Sequence, residues 1–289
     1  MSHVFADDDA SLAPPSGRGD AYALRFVVTA MSYTLFGIGA LVLTLLVLPV
    51  LRLLPQKRCQ KLSRSLLSRA MRFFVAVMSG TKGMTYEIHG AEKLGQPGQL
   101  IVANHPTLLD AVFLIAFTPQ AVCVAKHAMF RNPLTRSVVA AAGYVSNELT
   151  ADMIEQAAGV LAAGQCLIMF PEATRSRAGQ PLSFHRGAAN VGIRAARQVT
   201  PVYIRCQPIT LTKGEPWYRV PARRPHFSLI VGDDLDLDEF RTMPSIPLAS
   251  RAFNERMREN FESELNRLGG YTAPRTGAST GDAESRQIG

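Results

Sequence analysis

Two polar clusters in this chain carry residue types that can act together in a chemical reaction. The first, Asn104-His105-Pro106-Thr107-Leu108-Leu109-Asp110, follows the apolar run 100–103. The second, Pro171-Glu172-Ala173-Thr174-Arg175-Ser176, follows the apolar run 166–170. An imidazole can take a proton from a hydroxyl, a carboxylate can orient that imidazole, and an arginine can bind an anionic group. This combination suits the transfer of an acyl group to the hydroxyl of an acceptor that carries a phosphate.

The elements that must position these clusters are short apolar runs that alternate with helical patterns. The strand candidates are 84–89, 99–103, 121–125, 166–170, 201–206 and 227–231. The helix candidates are 110–117, 133–142, 150–163, 187–198 and 248–268. This alternation predicts an α/β fold, a largely parallel sheet flanked by helices. Sites in such sheets form beyond the carboxyl ends of the strands, which is where both clusters lie.

His105 and Asp110 can form a base and its orienting acid only if the chain turns between them. On a continuous helix, an offset of five residues places two side chains about 140° apart. Pro106 favours such a turn. Two structural readings stay open at this point. Residues 107–110 have the spacing of a helix capping box, with Asp in place of the usual Glu, and His105 can be a structural histidine at a strand end. The capping and catalytic roles of Asp110 are compatible.

The two clusters together resemble the glycerolipid acyltransferase family, whose best-known members acylate lysophosphatidic acid. That family carries His-x-x-x-x-Asp, which corresponds here to His105 and Asp110. Its second signature, Phe-Pro-Glu-Gly-Thr-Arg-Ser, corresponds to 170–176. Two further family features, an aromatic and a basic residue before Gly-Ala-Ala and a Pro-Val-x-Ile strand, look like 184–189 and 201–204. The resemblance therefore rests on several motifs in the same order and spacing.

The resemblance covers roughly residues 85–230 and implies a 1-acylglycerol-3-phosphate acyltransferase-like enzyme, with His105 and Asp110 as its catalytic residues. The candidate substrate-binding residues are Asn104, Lys126, Glu172, Thr174, Arg175 and Arg186. No metal and no cofactor is expected, because an acyl thioester is already activated. Acyl-CoA or acyl-ACP is the expected cosubstrate, and an acyl carrier protein is therefore a further candidate partner beside the lysophospholipid acceptor.

The sequence departs from the family pattern at two positions. Ala173 stands where the family has glycine, which matters if the loop requires a positive φ. Asn147 stands where the family usually has an arginine. If that arginine helps to hold glycerol phosphate, its replacement favours another lyso-lipid acceptor, such as a lyso-amino-acid lipid.

The charge distribution favours an anionic partner. The chain has 289 residues, with 31 Lys and Arg against 23 Asp and Glu, and a formal net charge of +8. Between Asp20 and Glu87 it has no acidic residue. Since the sequence contains no nucleic-acid-binding motif, we expect anionic membrane lipids and phosphate-bearing substrates rather than nucleic acid.

The N-terminal part has the pattern of a membrane anchor. Residues 26–51 contain no charged residue. The segment is long enough to cross a bilayer, which requires about 20 apolar residues. A hairpin within one leaflet, a buried core helix and a cleaved signal peptide are the alternatives. Residues 57–78 predict a basic amphipathic helix on an anionic surface, or a solvated helix packed on the domain. Basic residues follow the apolar segment, so the predicted location is the cell inner membrane with the catalytic domain on the cytoplasmic face.

These patterns divide the chain into a disordered tail (1–20), a membrane-anchoring segment of a hydrophobic and a basic amphipathic helix (21–80), an acyltransferase domain (81–270) and a flexible tail (271–289). Two functions of other classes compete with acyl transfer. One is a non-catalytic membrane protein that binds lipid or carrier. The other is an esterase or thioesterase, which the lack of a Gly-x-Ser-x-Gly elbow disfavours.

Overall fold

The structure is a computed structural model and describes residues 22–148, 150–175, 181–216 and 218–269. The predicted tails, 1–20 and 271–289, lie outside the described residues. The division of the chain into domains therefore stays a prediction at both ends.

The described residues form seven strands, and helices lie between them in the order that the sequence predicts. The strands are β1 (Thr85–His89), β2 (Gln99–Ala103), β3 (Val122–Ala125), β4 (Val145–Ser146), β5 (Leu167–Met169), β6 (Gln198–Gln207) and β7 (His226–Val231). The helices are α1 (Tyr22–Val42), α2 (Leu48–Leu51), α3 (Gln56–Gly80), α4 (Asp110–Phe117), α5 (His127–Arg131), α6 (Arg136–Ala142), α7 (Ala151–Ala162), α8 (Gly187–Ala195), α9 (Asp238–Arg241) and α10 (Ile246–Arg267). A π-helical turn, Leu43–Val47, joins α1 to α2. The structure adds short elements that the sequence did not predict, among them β4, α5 and α9.

The strands form one sheet in the order β1-β7-β6-β2-β5-β3-β4. Every neighbouring pair is parallel except β6 and β7, which are antiparallel. The prediction of a largely parallel sheet flanked by helices is therefore confirmed. The carboxyl ends of β2, β5 and β3 are adjacent, which brings the segments after these strands to one edge of the sheet.

Side chains alternate between two apolar layers, one on each face of the sheet. Leu100 and Val102 of β2 face a core that includes residues of α7, α8 and α10, such as Phe253. Ile101 and Ala103 face the opposite core, formed with α3 and α4. Both faces of the central strands are buried, which is why these strands are continuous apolar runs without a polar side.

The sequence predicted the long elements well and missed the short ones. The predicted helix 110–117 coincides with α4, and Thr150 caps α7 because its Oγ1 accepts a hydrogen bond from the Met153 N–H at 3.2 Å. The predicted helix 133–142 is wrong in extent, since α6 begins at Arg136. The helices α5 and α9 and the strand β4 have two to five residues each, too few to show a period.

The helix α1, the π-helical turn and α2 form one continuous apolar helix, Ala23–Leu51. Among the described residues, it is the single helix that is long and apolar enough to cross a membrane. Its burial pattern differs from that of a typical soluble helix. It buries the polar residues Arg25, Thr29, Ser32 and Thr44 beside Leu43 and Leu48, whereas many of its exposed side chains are large and apolar. Those exposed residues are Leu24, Phe26, Val27, Met31, Leu35, Ile38, Leu41, Val42, Leu45, Leu46 and Val50.

Both ends of this helix contact the globular part. Arg25 donates a hydrogen bond from Nη2 to the Ala222 carbonyl at 2.7 Å. Near the other end, Leu43 and Leu48 pack with Ala142 of α6. A helix of 29 residues is about 43 Å long at 1.5 Å per residue. The helix therefore lies along the domain and does not project away from it.

The predicted amphipathic helix 57–78 corresponds to α3, and its orientation is decided by packing on the domain. Leu67, Phe74 and Met78 are buried. Tyr33 and Phe36 of α1 pack against Phe74 with tilted rings, whose centroids lie 5.7 and 4.8 Å from that of Phe74. The sequence places apolar residues at helical spacing at Leu62, Leu66, Ala70, Phe73 and Val77, which predicts an apolar stripe. This stripe lies beside the buried face, and two of its members, Leu62 and Phe73, are exposed.

Candidate active site

The centre of the candidate site is a hydrogen bond between His105 and Asp110. His105 Nδ1 lies 2.8 Å from Asp110 Oδ2. Because the ionised carboxylate only accepts, Nδ1 donates its hydrogen and Nε2 is the ring nitrogen left to take a proton. The Asp110 side chain is fully buried and that of His105 is 18% exposed. The acid is thus shielded while the base stays accessible.

The pair meets because the chain turns between β2 and α4, as the sequence requires. The Thr107 N–H donates to Asp110 Oδ2 at 2.7 Å, and Thr107 Oγ1 donates to Oδ1 at 2.6 Å. Asp110 is also the first residue of α4, where a carboxylate is favoured by the helix dipole. Asp110 therefore closes the turn before α4 and holds His105, whereas the N-cap position of α4 is Leu109, which makes no side-chain cap hydrogen bond.

The segment after β5 holds His105 from another side. Glu172 Oε1 accepts a hydrogen bond from the His105 backbone N–H at 3.0 Å. The Phe170 ring stacks on the imidazole, with centroids 4.3 Å apart and an angle of 27° between the planes. In this structure, Glu172 thus contacts the His105 turn, and its predicted contact with substrate stays a prediction.

Arg175 binds a neighbouring loop. Its Nη1 donates to the carbonyls of Leu211 and Thr212 at 2.8 and 2.9 Å. The Leu211 carbonyl also accepts from the Leu108 N–H at 3.1 Å. The arginine therefore ties the segment after β5 to the loop after β6, beside the His105 turn. Its Nη1 is engaged by the protein, which leaves Nη2 and Nε as the atoms through which it can reach an anion.

The remaining predicted substrate-binding residues fall into two groups. The amide of Asn104 is 4% exposed and pairs with the backbone of β6, accepting from the Ile204 N–H at 2.7 Å and donating to its carbonyl at 2.8 Å. The geometry gives Asn104 a role in the sheet, and its contact with substrate stays a prediction. Lys126, Thr174 and Arg186 are exposed on segments that follow β3 and β5, and their contacts with substrate stay predictions.

Both departures from the family pattern have a structural setting. Ala173 has φ +55°, in the left-handed region that glycine enters without steric cost. Asn147 Oδ1 accepts the His127 N–H at 2.9 Å and so binds the first residue of α5. The residue at 147 therefore supports the loop after β3.

The cysteine whose pKa the Asp110 carboxylate affects, Cys206, is a poor nucleophile. Burial raises the pKa of Cys206, and the nearby Asp110 carboxylate raises it further. A thiol of that kind stays protonated at neutral pH and reacts slowly.

Sequence reasoning missed one residue that contacts the dyad, Phe170. It did bring Thr107 and Asp110 together, through the capping-box spacing of 107–110. For Phe170, the sequence offers only membership of the second motif, because stacking on His105 depends on β2 and β5 being neighbours.

Comparison with known proteins shows which family this part of the chain is similar to. A family model described as Acyltransferase matches residues 85–205. The chain is 25% identical over 139 residues to the 1-acyl-sn-glycerol-3-phosphate acyltransferase of Borreliella burgdorferi, a match that covers 46% of this chain and 56% of that protein. It is 28% identical over 165 residues to the enzyme of the same name from Limnanthes douglasii, covering 54% and 58%. The match thus spans just over half the length of these curated relatives.

The fold has a solved counterpart in the crystal structure of PlsC, the 1-acyl-sn-glycerophosphate acyltransferase of Thermotoga maritima. The TM-score is 0.58 at 19% sequence identity, and the alignment covers 83% of this chain and 96% of that one. The region matched by the family model includes both motifs and the dyad between β2 and α4. In sequence this region is similar to the acyltransferase family and to the 1-acyl-sn-glycerol-3-phosphate acyltransferases, and the chain shares its fold with the solved structure.

Proposed function

We propose that this protein is a membrane-bound O-acyltransferase that moves a fatty acyl group from a thioester to the hydroxyl of a lysophospholipid such as 1-acylglycerol-3-phosphate. The observation that carries the proposal is the His105–Asp110 hydrogen bond, formed by an accessible imidazole and a fully buried carboxylate. The names of the curated relatives support the choice of acceptor.

The reaction follows from the free Nε2 of His105. As the acceptor oxygen forms a bond to the thioester carbonyl carbon, its proton passes to Nε2. Asp110 stabilises the imidazolium through Nδ1–H. When the tetrahedral intermediate collapses, the carbon–sulfur bond breaks and the thiolate takes the proton from Nε2. His105 returns to its starting state, and the products are an ester and a free thiol, the thiol of coenzyme A or of an acyl carrier protein.

A small apolar cavity of about 30 Å³ lies between the His105 turn and α1. Leu109, from the His105 turn, and Leu211, from the loop bound by Arg175, both line it. Thr29 and Tyr33 of α1 line the same cavity, together with Phe227 of β7. Its volume is about that of one water molecule, which is too small for a fatty acyl chain.

The packing of the N-terminal helix supports association with a membrane. Water disfavours a helix that exposes large apolar side chains and buries polar ones, whereas lipid tails favour it. Because both ends of the helix contact the domain, it suits a position along the membrane surface better than a perpendicular span. The basic residues that follow it favour the cytoplasmic face of the inner membrane.

Acyl transfer is tested with the purified full chain, a labelled acyl-CoA or acyl-ACP, and a panel of lyso-lipids. His105→Ala is expected to lower kcat at least 100-fold, since general base catalysis typically contributes about 10²–10⁴-fold. Asp110→Asn is expected to lower it almost as much, because it removes the charge and keeps the shape. Thioester hydrolysis without transfer to any acceptor would instead indicate a thioesterase.

A second acceptor class is favoured by one observation. Position 147 carries a neutral Asn whose Oδ1 is engaged by the His127 N–H, where the resemblance implies an arginine. This difference favours a lyso-lipid with another headgroup, such as a lyso-amino-acid lipid. Comparing kcat/KM across headgroups in the wild type decides between the classes, and an exclusive preference for lysophosphatidic acid would exclude the second.

A further inference from the structure

We infer that Phe170 is a positioning residue for the transfer step, one that holds the His105 imidazole and stabilises the positive charge it acquires. The inference rests on the proposed function, in which His105 becomes an imidazolium during attack. The stacked rings, with centroids 4.3 Å apart and planes 27° from parallel, are the observation that carries it.

The geometry suits both parts of this role. A cation within about 6 Å of an aromatic centroid is attracted to the negative face of the ring. Near-parallel stacking presents that face to the imidazole plane and leaves the ring edge free, where Nδ1 bonds Asp110 and Nε2 faces away from that bond. The ring of Phe170 therefore restricts tilting of the imidazole without competing for either nitrogen.

Phe170 and Glu172 act on the same residue from one short segment. Glu172 fixes the His105 backbone through the N–H at 3.0 Å, while Phe170 contacts the ring. The two carboxylates that contact His105 are thus Asp110 at the ring and Glu172 at the backbone. Since β5 pairs with β2 in parallel, the segment after β5 is held at a constant distance from the His105 turn.

The competing interpretation is that Phe170 only fills space, because it is partly buried against the core on that side of the sheet. Shape and charge can be separated by replacing Phe170 with pentafluorophenylalanine. This residue keeps the ring and its size but reverses the sign of the charge on its face. Phe170→Tyr keeps an electron-rich face, and Phe170→Leu removes the ring.

In the full chain reconstituted in lipid vesicles, Phe170→Leu and Phe170→pentafluorophenylalanine are each expected to lower kcat about tenfold, equivalent to about 1.4 kcal/mol. The KM values for thioester and acceptor should stay within twofold. Phe170→Tyr should retain at least half of the wild-type kcat. The matched control is Phe117→Leu, which removes a ring that packs on Tyr86 at 5.8 Å, and it should leave kcat unchanged.

A second measurement does not depend on acyl transfer. The pH midpoint of His105 protonation, followed by NMR of the labelled imidazole, should fall by about one pH unit when Phe170 becomes pentafluorophenylalanine. A pentafluorophenylalanine variant with the wild-type kcat and the wild-type midpoint would overturn the inference and leave Phe170 as a packing residue. If instead the midpoint shifts while no acceptor is acylated by the wild type, the inference about the ring survives and the proposed function fails.

Discussion

Thr107 holds the carboxylate of Asp110 at both oxygens. Its backbone N–H donates to Oδ2 at 2.7 Å and its hydroxyl donates to Oδ1 at 2.6 Å, and the same hydroxyl accepts from the Leu109 N–H at 3.2 Å. Thr107 is fully buried. The carboxylate plane is therefore fixed before His105 bonds to Oδ2, which aims the acid at the base.

Replacing Thr107 with Val should weaken this arrangement while keeping the shape of the side chain. A hydrogen bond to a charged group contributes about 1.5–3 kcal/mol, so kcat should fall about tenfold or more through misplacement of Asp110. Thr107→Ser keeps the hydroxyl and should retain most of the activity. Steady-state kinetics of both variants check this, and equal losses in Ser and Val variants would point to lost packing of the methyl group instead.

The φ of +55° at Ala173 predicts that glycine is tolerated there. Ala173→Gly should leave the free energy of unfolding unchanged or raise it by up to about 1 kcal/mol, because glycine enters the left-handed region without strain. Ala158→Gly, within helix α7, is the matched control and should destabilise by about 1 kcal/mol. Denaturant unfolding of the two variants gives the comparison, and an equal loss at both positions would contradict the strain argument.

The lowered pKa of Glu87 predicts that the stability of the protein depends on pH, through a group outside the active site. Burial raises the pKa of Glu87, but the Ser228 hydroxyl and the neighbouring His226 and His89 together hold the pKa below its ordinary value of 4.5. A lowered folded pKa means that the contribution is present above the unfolded pKa and is lost as pH falls through the folded pKa. Glu87→Gln should therefore destabilise the protein at pH 7, and its difference from the wild type should shrink below about pH 4.5. Thermal melts across pH 3–7 measure this, and a constant difference would contradict it.

The exposed apolar face of α1 should control membrane attachment. Met31 is 67% exposed and Leu35 46% exposed, so changing both to Asp should weaken binding to anionic vesicles with little effect on the fold. Thr29→Val, on the buried face of the same helix, is the control and should leave binding unchanged. Vesicle flotation measures both, and unaltered binding of the double variant would indicate that α3 or the domain surface attaches the protein.

The sequence alone determined the fold class, the long elements and the members of the dyad. Apolar runs without polar alternation specified strands buried on both faces, and the polar clusters after two of these runs predicted chemistry at the carboxyl edge of the sheet. The antiparallel pairing of β7 and the short elements α5, β4 and α9 lie beyond such patterns, since a few residues have no period and a strand carries no sign of its direction.

Only the tertiary structure decided which side chains meet. Asn104 and Glu172 follow strands just as His105 does, yet the amide of Asn104 pairs with the Ile204 backbone and Glu172 accepts from the His105 N–H. Phe170 reaches His105 because β5 pairs with β2, a neighbour that is distant in sequence. A sequence lists the groups that are available near a strand end, whereas the order of strands in the sheet fixes the distances and hydrogen bonds between them.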